Sequence, residues 1–179
     1  MNSQNKIILI TGATSGIGLS LTEIYLKDGW TVIGIGRKIT LLKSLKDLYL
    51  EKLIIVQCDL SKKENIGETF KNILEKYPSL NSFIFNAGIY KTDDFDTFTE
   101  ESIEETFNIN LLSVYRSLLE IRNRLKEPNQ SLIAIVSSVA GYRGLPKSIS
   151  YGPTKAALIN LAEALKVDTA KYQVDVKLI

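Results

Sequence analysis

The stretch "YGPTK", residues 151–155, sets Tyr151 and Lys155 four residues apart. On a helix that spacing puts a phenol and an ammonium on one face. Such a pair can move a proton. An unperturbed phenol has a pKa of about 10, and use as a base near pH 7 requires lowering it by roughly 3 units, about 4 kcal/mol. A neighbouring positive charge acts in that direction. Taken alone, the same two residues are equally a solvated pair at the start of a helix. Composition narrows the chemistry. The chain has no histidine and one cysteine, Cys58. That excludes Ser-His-Asp and Cys-His mechanisms within the chain, and it removes the imidazole and thiolate clusters that hold most metals. No metal site is expected. Acid–base work near neutral pH falls to tyrosine, lysine or a carboxylate.

The elements that would position this pair follow from the order of apolar runs. The 179 residues are 45% hydrophobic and 23% charged, ordinary for a soluble globular protein. A net charge of +2 is too small to imply a nucleic acid or an anionic membrane as partner. The polar start "MNSQNK" leads into the short run "IILI", which reads as a strand rather than a leader or a membrane span. A lone cysteine suits a reducing compartment, so a cytoplasmic location is expected. Apolar runs at 6–11, 30–36, 52–60, 80–88, 131–138 and 173–179 read as strands. Amphipathic stretches at 16–29, 39–51, 63–77, 100–127 (in two pieces) and 150–171 read as helices, with a polar loop from Ile89 to about Thr99. This alternation predicts one domain over 1–179: a doubly wound α/β Rossmann fold with a parallel sheet and right-handed crossovers. The runs are apolar throughout, as expected where both sheet faces are covered. Ligands of such sheets bind outside the carboxyl ends of the strands.

The residues at those ends are informative. After the first strand, "TGATSGIG" places Gly12, Gly16 and Gly18 in a turn leading into a helix. Absent side chains let a pyrophosphate approach the backbone, and the helix start offers free N–H groups. The alternative is a glycine-rich turn with no ligand. After the second strand, "GRK" puts Gly36 where an acidic residue would bond a ribose 2′-hydroxyl, with Arg37 beside it. A guanidinium binds a 2′-phosphate that a carboxylate would repel, so NADP(H) is expected over NAD(H). Asp59 has two readings, a bond to the adenine amino group or a cap for the next helix. Cys58 reads as a small core residue. Ala87 and Gly88 in "NAG" would let the backbone lie against a cofactor, and Asn86 either braces strands or touches the ligand.

Thr11-Gly12-x-x-x-Gly16-Ile17-Gly18, Asp59, Asn86-Ala87-Gly88, Asn110, Ser138 and Tyr151-x-x-x-Lys155 occur in the order and with the spacing of the short-chain dehydrogenase/reductase family, which the chain resembles over essentially its whole length. The resemblance implies an NAD(P)-dependent enzyme with Asn110, Ser138, Tyr151 and Lys155 as catalytic tetrad. It adds Thr14, Ser15, Ile17 and Leu60 to the expected cofactor contacts, and Tyr151 and Lys155 serve there too. A carbonyl that accepts a hydride at carbon needs a proton at oxygen. Tyr151 would give it, Lys155 would stabilise the phenolate and bond the nicotinamide ribose, and Ser138 would hold the substrate oxygen. Ser137 is the fallback for Ser138. Asn110 would hold a water that relays protons to Lys155; its bland readings are an N-cap or an exposed helix residue. The expected partner is a small carbonyl or alcohol, with a homodimer through the helices at 100–127 and 154–171.

Family members continue past the sixth strand into a Pro-Gly turn, a mobile substrate loop, a last helix and a last strand. Relative to them this chain reads as C-terminally truncated, with its sixth strand an exposed apolar edge. Because loop closure excludes water, NADPH binding with poor turnover is expected. Two other functions compete: a non-catalytic NADP-binding module, and a sugar-nucleotide epimerase or dehydratase. The latter shares Tyr-x-x-x-Lys but has a shorter first glycine spacing.

Overall fold

The computed structural model describes residues 6–127 and 130–179. The polar start at 1–5 and Pro128 itself lie outside the described residues. The strands are β1 (Ile7–Thr11), β2 (Thr31–Gly36), β3 (Leu53–Gln57), β4 (Ser82–Phe85), β5 (Ser131–Ile135) and β6 (Val174–Leu178). They form a parallel sheet in the order β3-β2-β1-β4-β5-β6. The chain winds outward from β1 in one direction and from β4 in the other, so the switch point lies between these two strands.

Helices α1 (Gly16–Lys27) and α2 (Thr40–Tyr49) cover one face. Ile8, Ile10, Val32, Ile84 and Ala134 point into that layer with Leu26 and Leu42. Helices α3 (Lys63–Lys76), α5 (Ser113–Ile121) and α6 (Tyr151–Asp168) cover the other. There Ile7, Leu9, Ile33, Phe83, Phe85 and Ile133 meet Phe70, Ile121 and Leu158. The alternation along each central strand explains why every residue of β1 is buried. Helix ends follow local chemistry. Gly29 closes α1 at φ +82°, a left-handed conformation suited to glycine. Thr99 caps α4 (Glu100–Phe107) in a reciprocal box with Ser102.

The structure departs from the expectations in three places. First, β3, β4 and β5 stop at Gln57, Phe85 and Ile135, short of the ends of their apolar runs. Hydrophobicity reports burial, and residues 58–60, 86–87 and 136–138 stay at least partly covered after leaving the ladder. Second, the long helix is α4, one π-helical turn (Asn108–Leu112) and α5, and it ends at Ile121. The extra residue of a π turn redirects the side chains around it. Third, β6 is covered on one face only. Val174 and Val176 are buried, while Asp175 and Lys177 are exposed and pair with each other at 3.0 Å. The outward face of this strand is therefore charged, not apolar.

Candidate active site

Around the switch point runs a cleft of about 420 Å³, within the ordinary range for small-molecule sites. Gly12, Thr14, Ser15, Gly16, Ile17, Arg37, Asp59, Leu60, Asn86, Ala87 and Gly88 all line it. Gly36, Lys38, Cys58, Ser61, Ile89 and Ile109 line it as well. Lys38 and Ser61 adjoin residues already singled out, so their neighbours were the available signal. Ile109 sits in the π turn, and nothing local marks it. Cys58 is buried yet borders the cleft; burial pushes its thiol up, against a hydrogen bond from Thr69, so it stays neutral.

The glycine turn is shaped by close approach. Gly12 has φ +67°, and a Cβ there would lie 2.8 Å from the Ala87 Cα. A Cβ at Gly18 would lie 2.1 Å from the Gly12 carbonyl oxygen, so Gly18 serves helix–strand packing and does not line the cleft. The start of α1 carries no acidic residue in its first turn, and Ser15 makes no capping bond there. Free amides and an unopposed helix dipole thus face the cleft, an arrangement that fits a phosphate. A Cβ at Gly36 would lie 2.3 Å from the Thr14 Cγ2. Thr14 thus occupies the space that an acidic residue at the end of β2 would need.

Asn86 and Asp59 are both structurally engaged. The Asn86 amide donates to the carbonyls of Thr11 and Gly12 at 3.1 and 3.3 Å, and Thr11 Oγ1 accepts from the N–H groups of Asn86 and Ala87. Asn86 therefore braces β1 against the segment after β4. Asp59 Oδ1 accepts from the Ser61 N–H at 3.0 Å and hydroxyl at 2.8 Å. It closes a turn, whereas the cap position of α3 is Lys62. Burial alone would raise its carboxyl, but Ser61 and the charges of Arg37 and Lys62 hold it below the usual carboxylate range. Arg37 is exposed and belongs to no ion pair among the described residues.

None of the four tetrad candidates lines the cleft itself; Asn110 and Lys155 lie just behind Gly88, which does. Tyr151 begins α6 and Lys155 follows one turn later. The Lys155 amine is buried, donates to the Val136 carbonyl at 2.9 Å and lies 5.6 Å from the Tyr151 ring centroid. A methyl group added at Gly88 would sit 3.6 Å from this amine and 3.4 Å from Asn110 Oδ1. Ser138 accepts from the Ala140 N–H at 3.2 Å, which leaves its own hydrogen free. Ser137 is buried and donates to the Lys155 carbonyl at 2.9 Å, so its hydroxyl is spent on packing β5 against α6. Asn110 is neither an N-cap nor exposed. It is fully buried in the π turn, accepts from the Ile89 N–H at 2.7 Å, and donates to the Ile89 carbonyl at 2.9 Å and to Thr154 at 3.3 Å. Its side chain is a clamp between three segments, and the π turn is what aims it inward.

Burial lowers the Lys155 pKa from 10.5 to about 8. The amine still carries its charge at pH 7. Between pH 8 and 10.5 the unfolded chain binds the proton and the folded chain does not, so this group makes stability rise with pH in that window. Urea unfolding of wild type and Lys155→Met at pH 7 and 10 checks this. The wild type should gain up to about 3 kcal/mol on the variant between the two values.

No helix among the described residues is long and apolar enough to cross a membrane, and no group of three or more His, Cys, Asp or Glu among them could hold a metal. A 3beta-hydroxysteroid dehydrogenase of Mediterraneibacter gnavus is 34% identical over 169 residues, covering 92% of this chain and 61% of that protein. A farnesol dehydrogenase of Aedes aegypti is 30% identical over 169 residues, covering 90% of this chain and 69% of that one. A solved short-chain dehydrogenase from Streptomyces avermitilis matches with TM-score 0.94 at 26% identity, covering 99% of this chain and 65% of that one. The structure of ElxO with NADP bound matches with TM-score 0.89 at 28% identity, covering 98% and 72%. The chain thus spans between 61% and 72% of the length of these four proteins. A model of the short chain dehydrogenase family matches residues 6–179. That match runs from just before β1 to the end of β6, through every element described above, and the chain belongs to the short-chain dehydrogenase family.

Proposed function

We propose that this chain binds NADP(H) in preference to NAD(H) and interconverts a small carbonyl compound and its alcohol, with Tyr151 as general acid and base. One observation carries the reading. A single cleft runs from the unpaired Arg37 past the glycine turn to Gly88, where the buried Lys155 amine stands. Arg37 and Lys38 would hold a 2′-phosphate, and the start of α1 the pyrophosphate. Asp59 and Leu60 would border the adenine, and Ala87 and Gly88 the ribose nearer the reacting end. The bound nicotinamide supplies or accepts the hydride. The chain's own residues handle the oxygen. The free Ser138 hydroxyl would donate a hydrogen bond to it, and the Tyr151 hydroxyl would deliver or remove its proton. The Lys155 amine stands beside the phenol, 5.6 Å from the centre of its ring. Asn110 holds Ile89 and α6 in register beside that amine, which is where a relay water would sit. Fluorescence titration with NADPH and NADH side by side tests the reading. Tighter binding of NADPH by at least tenfold is expected, and equal or absent binding overturns it.

A second reading, an NADP-binding module with little turnover, is favoured by the exposure of the rim. Tyr90, which packs against the half-buried Tyr151, is 55% exposed, so the phenol is not sealed from water. For assembly we propose a homodimer through the helices at 100–127 and 154–171. Leu112, Tyr115 and Leu119 form an exposed apolar row along the first of these. Sedimentation velocity should show a dimer that Leu119→Glu converts to monomer.

A further inference from the structure

The segment that follows Gly88 has no part in the cofactor cleft beyond Ile89, yet it is bonded to the turn that delivers Tyr151. Asp93 and Ser148 form an isolated parallel bridge. The Asp93 N–H donates to the Lys147 carbonyl at 3.3 Å, and the Tyr90 hydroxyl donates to the same oxygen at 3.3 Å. Lys147 is a non-glycine residue at φ +57°. A side chain in that left-handed conformation persists where its surroundings over-determine it, and here two donors from one loop converge on its carbonyl. The Asp93 carboxylate, 3% exposed, then accepts from both the N–H and the hydroxyl of Ser150, the residue just before Tyr151. Finally, the Tyr90 ring meets the Tyr151 ring edge-on, with centroids 4.8 Å apart and planes at 63°.

We infer that Tyr90 and Asp93 are positioning residues for Tyr151: Asp93 fixes the backbone that launches α6, and Tyr90 fixes the phenol ring against Lys155. This rests on the proposed role of Tyr151 in proton transfer. The ring has two neighbours, the Tyr90 ring and the Lys155 amine. An edge contact of this kind favours one ring orientation by roughly two- to tenfold. With Tyr90 removed, no other aromatic ring among the described residues packs on Tyr151, and the Lys155 amine is the neighbour that remains. Because a misplacement of about 1 Å costs on the order of 100-fold in rate, a loosened ring slows the chemistry without weakening the cofactor.

The test compares Tyr90→Leu, Tyr90→Phe, Asp93→Ala and Asp93→Asn in the 179-residue chain. Two properties are read on each: the side-chain rotamer of ¹³C-labelled Tyr151 in the NADP+-saturated protein, and single-turnover NADPH oxidation by cyclohexanone and 4-nitroacetophenone. Tyr90→Leu and Asp93→Ala should each give rotamer averaging of Tyr151 and about tenfold slower oxidation, with the NADPH Kd within twofold of wild type. Tyr90→Phe keeps the ring and Asp93→Asn can still bond both groups of Ser150, so both should stay within about threefold of wild type. A single unaltered Tyr151 rotamer in Tyr90→Leu overturns the inference. So does a rate loss in Asp93→Ala that Asp93→Asn fails to rescue, because that would make the charge and not the geometry responsible. Tyr90 is exposed, so its variants fold even if Asp93→Ala does not. The rotamer measurement needs no substrate. If Tyr151→Phe oxidises NADPH as fast as wild type, the proposed function fails and this inference falls with it. If only the clamp variants match wild type, the function stands and this inference alone fails.

Discussion

Replacing Tyr151 by Phe is expected to slow single-turnover NADPH oxidation by a ketone 100-fold or more while leaving NADPH affinity within about twofold of wild type. The physical ground is specific to the hydroxyl. It engages no hydrogen-bond partner among the described residues, so its removal leaves nothing unsatisfied. The ring contacts to Tyr90 and Lys155 survive in Phe, so the variant keeps its packing. What is lost is the hydroxyl that, on the proposed function, would hand a proton to the substrate oxygen. Stopped-flow fluorescence reads both quantities in one experiment. A loss of rate with binding intact marks an interaction made only on the way to the transition state. An unchanged rate would instead favour the binding module, in which the Tyr151 hydroxyl has no task.

Arg37→Glu is expected to weaken NADPH binding about 100-fold and to leave NADH binding within a few-fold of wild type. Arg37 forms no close ion pair among the described residues, although its charge acts on Asp59, and Gln57 steadies its carbonyl at 3.0 Å. Reversing the charge removes charge-assisted bonds to a 2′-phosphate and adds repulsion. The same carboxylate can accept a bond from an unphosphorylated 2′-hydroxyl. Position 37 is the place for this change. At Gly36, the position an acidic residue would take on spacing alone, Thr14 fills the space beside the backbone. Paired Kd values for NADPH and NADH read the result. Equal losses for both cofactors would place Arg37 away from the phosphate and withdraw the assigned preference.

Much of the site was legible because its parts are local. Tyr151 and Lys155 share a face through helical spacing alone, and the glycine turn announces itself where a strand run gives way to a helix. That the strands run parallel followed from the alternation of runs, since parallel neighbours need crossovers of that length; their order in the sheet did not. The neighbouring serines Ser137 and Ser138 look alike in the sequence, whereas in the structure Ser137 is tied to the Lys155 carbonyl.

The remainder depended on partners far along the chain. Asn110 bonds Ile89 across 21 residues and Thr154 across 44, and no local pattern distinguishes it from a surface asparagine. The Asp93–Ser150 clamp spans 57 residues of sequence, inside a stretch that reads as an unremarkable polar loop. The charged outer face of β6 was hidden inside a run that looked apolar, because the identity of the covered face is set by where α6 lies. By itself the sequence determined which chemical groups are present and which share a helix face or a turn, as those follow from backbone geometry over a few residues. Only the tertiary structure decided which hydroxyl is free, which amide is a clamp and what holds the phenol still. Those properties belong to contacts between segments, and they come into being only when the sheet closes and brings the ends of its strands together.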